Sequence, residues 1–261
     1  EETTTGVNRL KSMQKAGALR YPVVAVNNNK TKHLFDNYYG TGQSTLDGIL
    51  RATNILIAGK TVVVVGYGPC GQGIAMRAKG MGAKVIVTEI DPIRGLQAHL
   101  DSHLVMSIDE AVSRGDVFIT VIGSKHVIAR KHFKKMKSGA IVCNSGHFDI
   151  EIDVKSLRSL ASSSRRLKNS VEEFTLNKKI IYLLCEGRLV NLSAAEGHPS
   201  EVMALSFMGQ ALACDWLVQE SKQKDGLPVG VYTLPPTIDQ NIAAIYLETQ
   251  DITFDKATAD Q

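Results

Sequence analysis

The chain has 261 residues, 44% of them apolar and 21% charged, with a formal net charge of +4 at pH 7. These are the proportions of an ordinary soluble globular protein, long enough for one large domain or two small ones around a sizeable core. No apolar run reaches membrane-spanning length and no signal peptide is visible, so no membrane partner is expected. The clearest source of positive charge is one predicted helix near residues 125–136, with Arg130, Lys131, Lys134, Lys135 and Lys137. A charge run of this kind reads as a solvated helix face, and no nucleic-acid partner is expected. The four cysteines, Cys70, Cys143, Cys185 and Cys214, show no C-x-x-C spacing. They read as reduced, buried thiols of a cytoplasmic protein, with no metal site.

The chain opens on Glu1-Glu2-Thr3-Thr4-Thr5-Gly6 with no initiator Met, as if partway through a longer protein. Residues 7–19 predict a short basic helix ending at Gly17. Residues 21–26 predict a strand, with Pro22 near its start where a missing donor costs least. A polar stretch follows, Asn27-Asn28-Asn29-Lys30-Thr31-Lys32 and then Phe35-Asp36-Asn37, poor in any regular propensity. Loops of this kind on a rigid scaffold carry function more often than packing. Ser44 with Asp47 resembles a capping box opening a helix to about Ala58, with Leu46, Ile49, Leu50, Thr53 and Ile57 on one face and Gly59 closing it.

Residues 61–89 organise the rest. Val62, Val63, Val64 and Val65, β-branched and apolar on both faces, predict a central parallel strand covered by helices on either side. The strand runs into Gly66-Tyr67-Gly68-Pro69-Cys70-Gly71, a G-x-G-x-x-G, then an amphipathic segment and a second strand, 84–88, ending at Glu89. Gly66 turns the chain off the strand and Gly68 leaves no side chain where a pyrophosphate must approach. Gly71 lets the next helix pack close to the sheet, its free N–H groups facing the phosphates. A carboxylate at Glu89 can accept hydrogen bonds from both ribose hydroxyls of NAD and would repel the 2′-phosphate of NADP. Strand, glycine turn, helix and acid at this spacing predict a dinucleotide site; the alternative is a purely structural turn between strand and helix.

The alternation continues: helix 93–100, strand 103–106, a capping box at Ser107-Ile108-Asp109-Glu110, strand 116–121, the basic helix, and strand 140–144. Ligands of such sheets sit at the carboxyl ends of strands, so Gly123, Asn144, Gly146 and His147 are expected to line the cofactor crevice. Residues 150–180 are less regular, with 162–166 an expected exposed loop, before a strand at 180–184. Gly197-His198-Pro199 reads as a hinge into a long helix, 200–219, and a last helix spans 238–248. The predicted fold class is thus α/β: residues 37–198 form a doubly wound parallel sheet, a Rossmann NAD-binding domain.

With these motifs in place the chain resembles the S-adenosylhomocysteine hydrolase family. The matching segments are Glu1 to Val7, Lys32 with Phe35-Asp36-Asn37, the loop from Gly66 to Gly71, and Thr88-Glu89-Ile90-Asp91-Pro92. Asn144 to Asp149, Glu186 to Leu192 and Gly197-His198-Pro199 complete them. The resemblance implies reversible hydrolysis of S-adenosylhomocysteine to adenosine and homocysteine by 3′-oxidation, elimination, water addition and re-reduction on tightly held NAD. It implies that Lys32 takes the 3′-hydroxyl proton, a role an amine fills at neutral pH only when desolvation or a cationic neighbour lowers its basicity. Glu2 and Asp36 would grip the ribose hydroxyls and Asn37 would sit between substrate and nicotinamide. His147 and His198 would lie near the substrate, His198 by the adenine. The cofactor would be held by Thr3, Thr4, Thr5, Gly66, Gly68, Pro69, Cys70, Gly71, Glu89, Arg94, Ser145, Gly146, His147 and Asn191, with Asn191 on its carboxamide.

The resemblance also implies that residues 1–36 and the returning helices of 199–248 belong to part of a second, substrate-binding α/β domain, with 249–261 as a tail, and that the protein is a homo-oligomer, a tetramer by family habit. The family's catalytic histidine and the aspartate of 4′-proton chemistry have no counterpart in these residues, so the chain alone is expected to bind NAD without turning over substrate. Arg94 stands where many members have Asn, which leaves NADP open; Thr41 stands where Cys is common; no tyrosine follows Tyr246. Two other readings remain, an NAD-dependent dehydrogenase of the 2-hydroxyacid type and a non-catalytic NAD-binding paralogue.

Overall fold

Thr3 sets where the first helix begins. Its hydroxyl accepts a hydrogen bond from the Gly6 N–H at 3.0 Å and caps α1 (Thr4–Lys15), which therefore starts earlier than predicted. The computed structural model describes residues 1–223 and 226–255, so 256–261 of the expected tail lie outside the described residues. The strand expected at 21–26 shrinks to β1 (Val23–Val24), and Val26–Asn28 forms a 3-10 turn. The expected polar loop is helical at α2 (Lys30–His33). Its own N-cap, Asn29, makes no side-chain capping bond, and a residue from far along the chain does so instead.

α3 (Thr41–Thr53) overturns the expected capping box. Ser44 lies inside the helix, buried, and Asp47 pairs with Arg51 at 2.9 Å one turn on. The helix stops at Asn54, whose φ of +55° is the left-handed conformation that Asn tolerates, so it never reaches Ala58.

Strands and helices then alternate: β2 (Thr61–Val65), α4 (Pro69–Gly80), β3 (Lys84–Thr88), α5 (Pro92–Leu100), β4 (Leu104–Val105), α6 (Ile108–Ala111), β5 (Val117–Thr120), α7 (Arg130–Lys135), β6 (Ala140–Asn144) and α8 (Val154–Leu160). The Ser107–Glu110 capping box opens α6 as expected. The loop expected at 162–166 is instead a strand, β7 (Ser163–Lys168), followed by β8 (Val171–Leu176) and β9 (Lys179–Leu184). β7 is an edge strand exposed along its whole length, so it lacks the apolar alternation that marks a strand. Its Arg165 pairs across to Glu173 at 2.8 Å. The chain ends through α9 (Val190–Ser193), α10 (Ser200–Ser221), β10 (Val231–Tyr232) and α11 (Pro236–Thr249).

The sheet order is β4-β3-β2-β5-β6-β9-β8-β7. Pairing is parallel from β4 to β9, and an antiparallel hairpin of β8 and β7 closes that edge. The valines of β2 show why it lies in the middle: Val62 and Val64 pack with Leu46, Ile49 and Ile74 on one face, Val63 and Val65 with Phe118, Phe133 and Ile152 on the other.

The described residues fall into two compact units. Asn37–Pro199 holds the large sheet; Glu1–Asp36 with Ser200–Gln261 forms the other, where β1 pairs with β10 in parallel and Val24, Val26, Ala213 and Leu234 make the core. α10 corrects the reading that no apolar run is of membrane-spanning length: among the described residues it is long and apolar enough by length and composition. Val202, Leu205, Ser206 and Ala213 on it are nevertheless buried within the unit. Cys214 on α10 is exposed and Cys70 half-buried, so only Cys143 and Cys185 are the buried thiols expected. Of the basic run, Lys131 on α7 meets Asp109 at 2.7 Å, and Lys137 beyond it meets Asp116 at 2.9 Å.

Asp116 ties β2 to β5 by accepting the Thr61 N–H at 2.8 Å. Burial pushes its carboxyl up, but that N–H and the Lys137 ammonium outweigh it and hold it below its ordinary 3.8. A lowered carboxylate contributes stability above its ordinary range and loses it as pH falls through the lowered value. Asp116→Asn is therefore expected to cost roughly 1 kcal/mol at pH 7, with the gap to wild type closing below pH 3.8, read by urea unfolding at both pH values.

Candidate functional site

In the sheet-bearing unit, the carboxyl end of β2 carries the glycine turn. Gly66 has φ +108°, and a Cβ on it would overlap a methyl of Ile122. A Cβ on Gly71 would overlap the Gly66 carbonyl oxygen, so α4 approaches the strand end only because both are glycine. Gly68 differs: a Cβ there would meet nothing nearer than Arg94 Nη1 at 3.6 Å. That open ground at a helix N-terminus, with Pro69 and Cys70 in the first turn of α4, suits a pyrophosphate. Glu89 lies at the tip of β3. Its Oε2 accepts the Tyr67 N–H at 2.7 Å, and Oε1 accepts those of Ile90 at 2.7 Å and Asp91 at 3.1 Å. Three backbone donors aim the carboxylate, and its remaining lone pairs stay available to ribose hydroxyls. Tyr67, unremarked in the sequence, is buried, and its phenol donates to Asp101 at 2.8 Å; burial and that carboxylate push the phenol upward. Arg94 is half-exposed and stands 3.7 Å from Asp91.

The neighbouring strand ends, after β5 and β6, are cross-braced. Thr120 and Asn144 are register partners, and the Thr120 hydroxyl donates to Asn144 Oδ1 at 3.0 Å. Asn144 also accepts the Gly146 N–H (2.7 Å) and donates to the carbonyls of Gly146 (3.0 Å) and Phe148 (2.9 Å). The expectation that Asn144 lines the crevice is therefore corrected: it is fully buried and its amide shapes the loop. Gly123 is held by Glu151, a buried acid that nothing distinguished from its neighbours Asp149 and Asp153 in the sequence. Ser145 is buried too, its hydroxyl 2.6 Å from that of Thr45 on α3. His147 is exposed and edges onto Phe148, beside a cavity of about 270 Å³ shared with Arg188, Leu189 and Leu192.

Asn191 supplies the sharpest fit to a cofactor. It is buried on α9, its amide nitrogen donates to Ser44 at 3.3 Å, and its Oδ1 has no partner. A buried acceptor left open costs about 1–3 kcal/mol, and the amide of a nicotinamide carboxamide is a donor suited to it. His198 lies where the chain leaves this unit, Nε2 3.4 Å from the Thr41 hydroxyl, with its ring against Gly40.

The second unit gathers the remaining residues. Lys32 is buried on α2, its Nζ 2.8 Å from Asp36 Oδ1 and 3.3 Å from the Asn27 side-chain oxygen. Asn27 in turn donates to the Thr4 hydroxyl at 3.0 Å. The sequence marked Asn27 only as part of a polar stretch; its role as a Lys32 partner comes from the 3-10 turn that buries it. Glu2 is gripped from α10, by the Ser206 hydroxyl at 2.5 Å and Gln210 at 2.8 Å, neither foreseen. Thr3 caps α1 and also donates to Glu1 at 2.7 Å, and Thr4 and Thr5 form the first residues of that helix. Asn37 is buried at the start of the other unit, directly after Asp36.

Comparison with known proteins bears on these groups. The family model described as the NAD-binding domain of S-adenosyl-L-homocysteine hydrolase matches residues 37–197. An adenosylhomocysteinase of Gloeobacter violaceus is 57% identical over the whole chain, which covers 60% of that protein. An S-inosyl-L-homocysteine hydrolase of Methanocaldococcus jannaschii is 56% identical over the whole chain, covering 62% of it. An adenosylhomocysteinase of Saccharolobus solfataricus is likewise 56% identical, with 62% of it covered. The chain thus spans about three-fifths of the length of the curated relatives it matches.

Proposed function

The chain belongs to the S-adenosyl-L-homocysteine hydrolase family, and from that premise we propose that the protein carrying it hydrolyses S-adenosyl-L-homocysteine reversibly to adenosine and L-homocysteine with bound NAD. NAD, when bound, would supply reversible two-electron oxidation at the 3′ carbon of the substrate ribose. Gly68 and the first turn of α4 would receive its pyrophosphate, Glu89 its adenosine ribose, and Asn191 its carboxamide.

The observation that carries the reading is Lys32. A buried ion pair is weak support for stability, since desolvation offsets the attraction, so a buried lysine held by Asp36 and Asn27 argues for chemistry. Lys32, acting as the neutral amine, removes the 3′-hydroxyl proton during the oxidation and returns it on re-reduction. Asp36 orients the amine and, with Glu2, grips ribose hydroxyls; His147 and His198 face the substrate, His198 at the base. We also propose a cytoplasmic homotetramer. Exposed Ile93, Leu96 and Leu100 on α5, with Ile90 beside them, form an apolar surface of the kind assembly covers, and light scattering measures the copy number.

The test is thiol release, by the full-length protein that carries this chain, from S-adenosylhomocysteine and, in parallel, S-inosylhomocysteine, with the nucleotide assayed throughout. The expected result is homocysteine without net change in NAD. Lys32→Met should lose roughly 10²–10⁴-fold in turnover while retaining nucleotide. Consumption of one NAD per product would establish a dehydrogenase; NAD held without any turnover would establish a binding module.

A further inference from the structure

Glu151 is fully buried at the end of the 3-10 turn Asp149–Glu151, yet the donors it meets are two backbone N–H groups, neither of them a cation. Its Oε1 accepts the Gly123 N–H at 2.6 Å and its Oε2 accepts the Ile122 N–H at 3.1 Å. Gly146, from the loop after β6, leaves room for it, because a Cβ there would overlap Oε1. One carboxylate thus fixes the backbone after β5 and sets how closely the loop after β6 can approach. A carboxylate buried without a cation is costly, and burial pushes this carboxyl up, partly offset by the Ile122 and Gly123 N–H groups. A neutral amide could not do the same, because one of its ends would turn a donor towards a donor.

The sheet order says which part of the cofactor this brace serves. Glu89 and the glycine turn lie at the ends of β3 and β2, while β5 and β6 lie on the opposite side of β2. A dinucleotide crossing the strand ends with its adenosine at Glu89 must run its other half over the loops after β5 and β6. We propose that Glu151 is a positioning residue for the nicotinamide half of NAD, holding Ile122, Gly123 and Gly146 at the spacing that half requires without touching it. This rests on the reading of the unit as an NAD site.

The test compares the affinities of NAD and ADP for the wild-type chain, Glu151→Gln and Gly146→Ala, each first checked for a cooperative melt. Gly146→Ala keeps the carboxylate but pushes it, and stands in should Glu151→Gln fail to fold. The expected result is NAD weakened about tenfold or more while ADP, held by Glu89 and the glycine turn, changes less than about twofold. NAD and ADP weakened together, NAD unchanged in a folded variant, or neither variant folding would each overturn the proposal, the last marking Glu151 as a structural brace only. A wild-type chain that binds neither nucleotide overturns the NAD reading itself, which separates the two failures.

Discussion

Gly71→Ala is expected to abolish nucleotide binding and to destabilise the fold, whereas Gly68→Ala is expected to abolish binding alone. At Gly71 the added carbon would overlap the Gly66 carbonyl oxygen, and both parties are backbone, one at the end of β2 and the other in the first turn of α4. No rotamer relieves that clash, so α4 must move off the strand end. Overpacking of this kind costs about 1–3 kcal/mol, and the displaced helix N-terminus no longer meets the phosphates. At Gly68 the same carbon meets only a mobile guanidinium tip at 3.6 Å, so the empty fold accommodates it. It then occupies the ground the pyrophosphate needs. Thermal unfolding with NAD titration of each variant reads the difference: at least about a hundredfold loss of affinity in both, with a lowered melting temperature only for Gly71→Ala. A Gly68→Ala chain that still bound NAD at wild-type strength would show that the cofactor does not pass over this turn.

Asp239→Ala is expected to be the most damaging change in the other unit, at roughly 3–5 kcal/mol. Its buried carboxylate accepts the Lys30 N–H at 2.5 Å, the Thr31 N–H at 3.1 Å and the Thr31 hydroxyl. These are donors at the start of α2 that its own N-cap leaves unmet. Hydrogen bonds to a charged acceptor are worth about 1.5–3 kcal/mol each, and donors left buried and open lose that in full. Lys32 is the next residue of the same turn, so losing the cap should also release its amine from Asp36 and Asn27. Hydrogen exchange at the amides of 30–33, with denaturant unfolding, checks both effects. Asp239→Asn keeps one acceptor oxygen and should cost about half as much. A loss under about 1 kcal/mol for alanine, with exchange unchanged, would mean that water or another group caps α2.

Much of the sheet-bearing unit was legible, because strands buried on both faces have no choice of composition. Val62 to Val65 and 140–144 could only be central strands, and the glycine spacing ahead of an acid could only serve a close backbone approach or a tight turn. Failures cluster where a local rule met a distant partner. Ser44 with Asp47 has the spelling of a helix start, but α3 begins earlier and buries Ser44, where its hydroxyl meets Asn191. The stretch 162–166 reads as a loop because an edge strand wetted on both faces needs no apolar alternation, and cross-strand ion pairs such as Arg165–Glu173 replace it.

Among the functional groups, residue type and spacing alone marked Gly66, Gly68, Gly71 and Glu89, since each is tied to its neighbours along the chain by strand, turn and helix geometry. The family resemblance added Lys32, Asp36 and Asn191. No local signal could reveal Asn27 beneath Lys32, Ser206 and Gln210 around Glu2, Asp239 at the head of α2, or Glu151 behind Gly123. Those pairings join segments as far apart as the two ends of the chain, and one acid looks like any other until folding decides which are buried. The order of apolar and glycine residues thus determined the parallel core of the sheet and the glycine turn at the end of its central strand. Which polar side chains hold that site rigid was decided only by tertiary structure, because a buried donor or acceptor must find its partner wherever packing brings one.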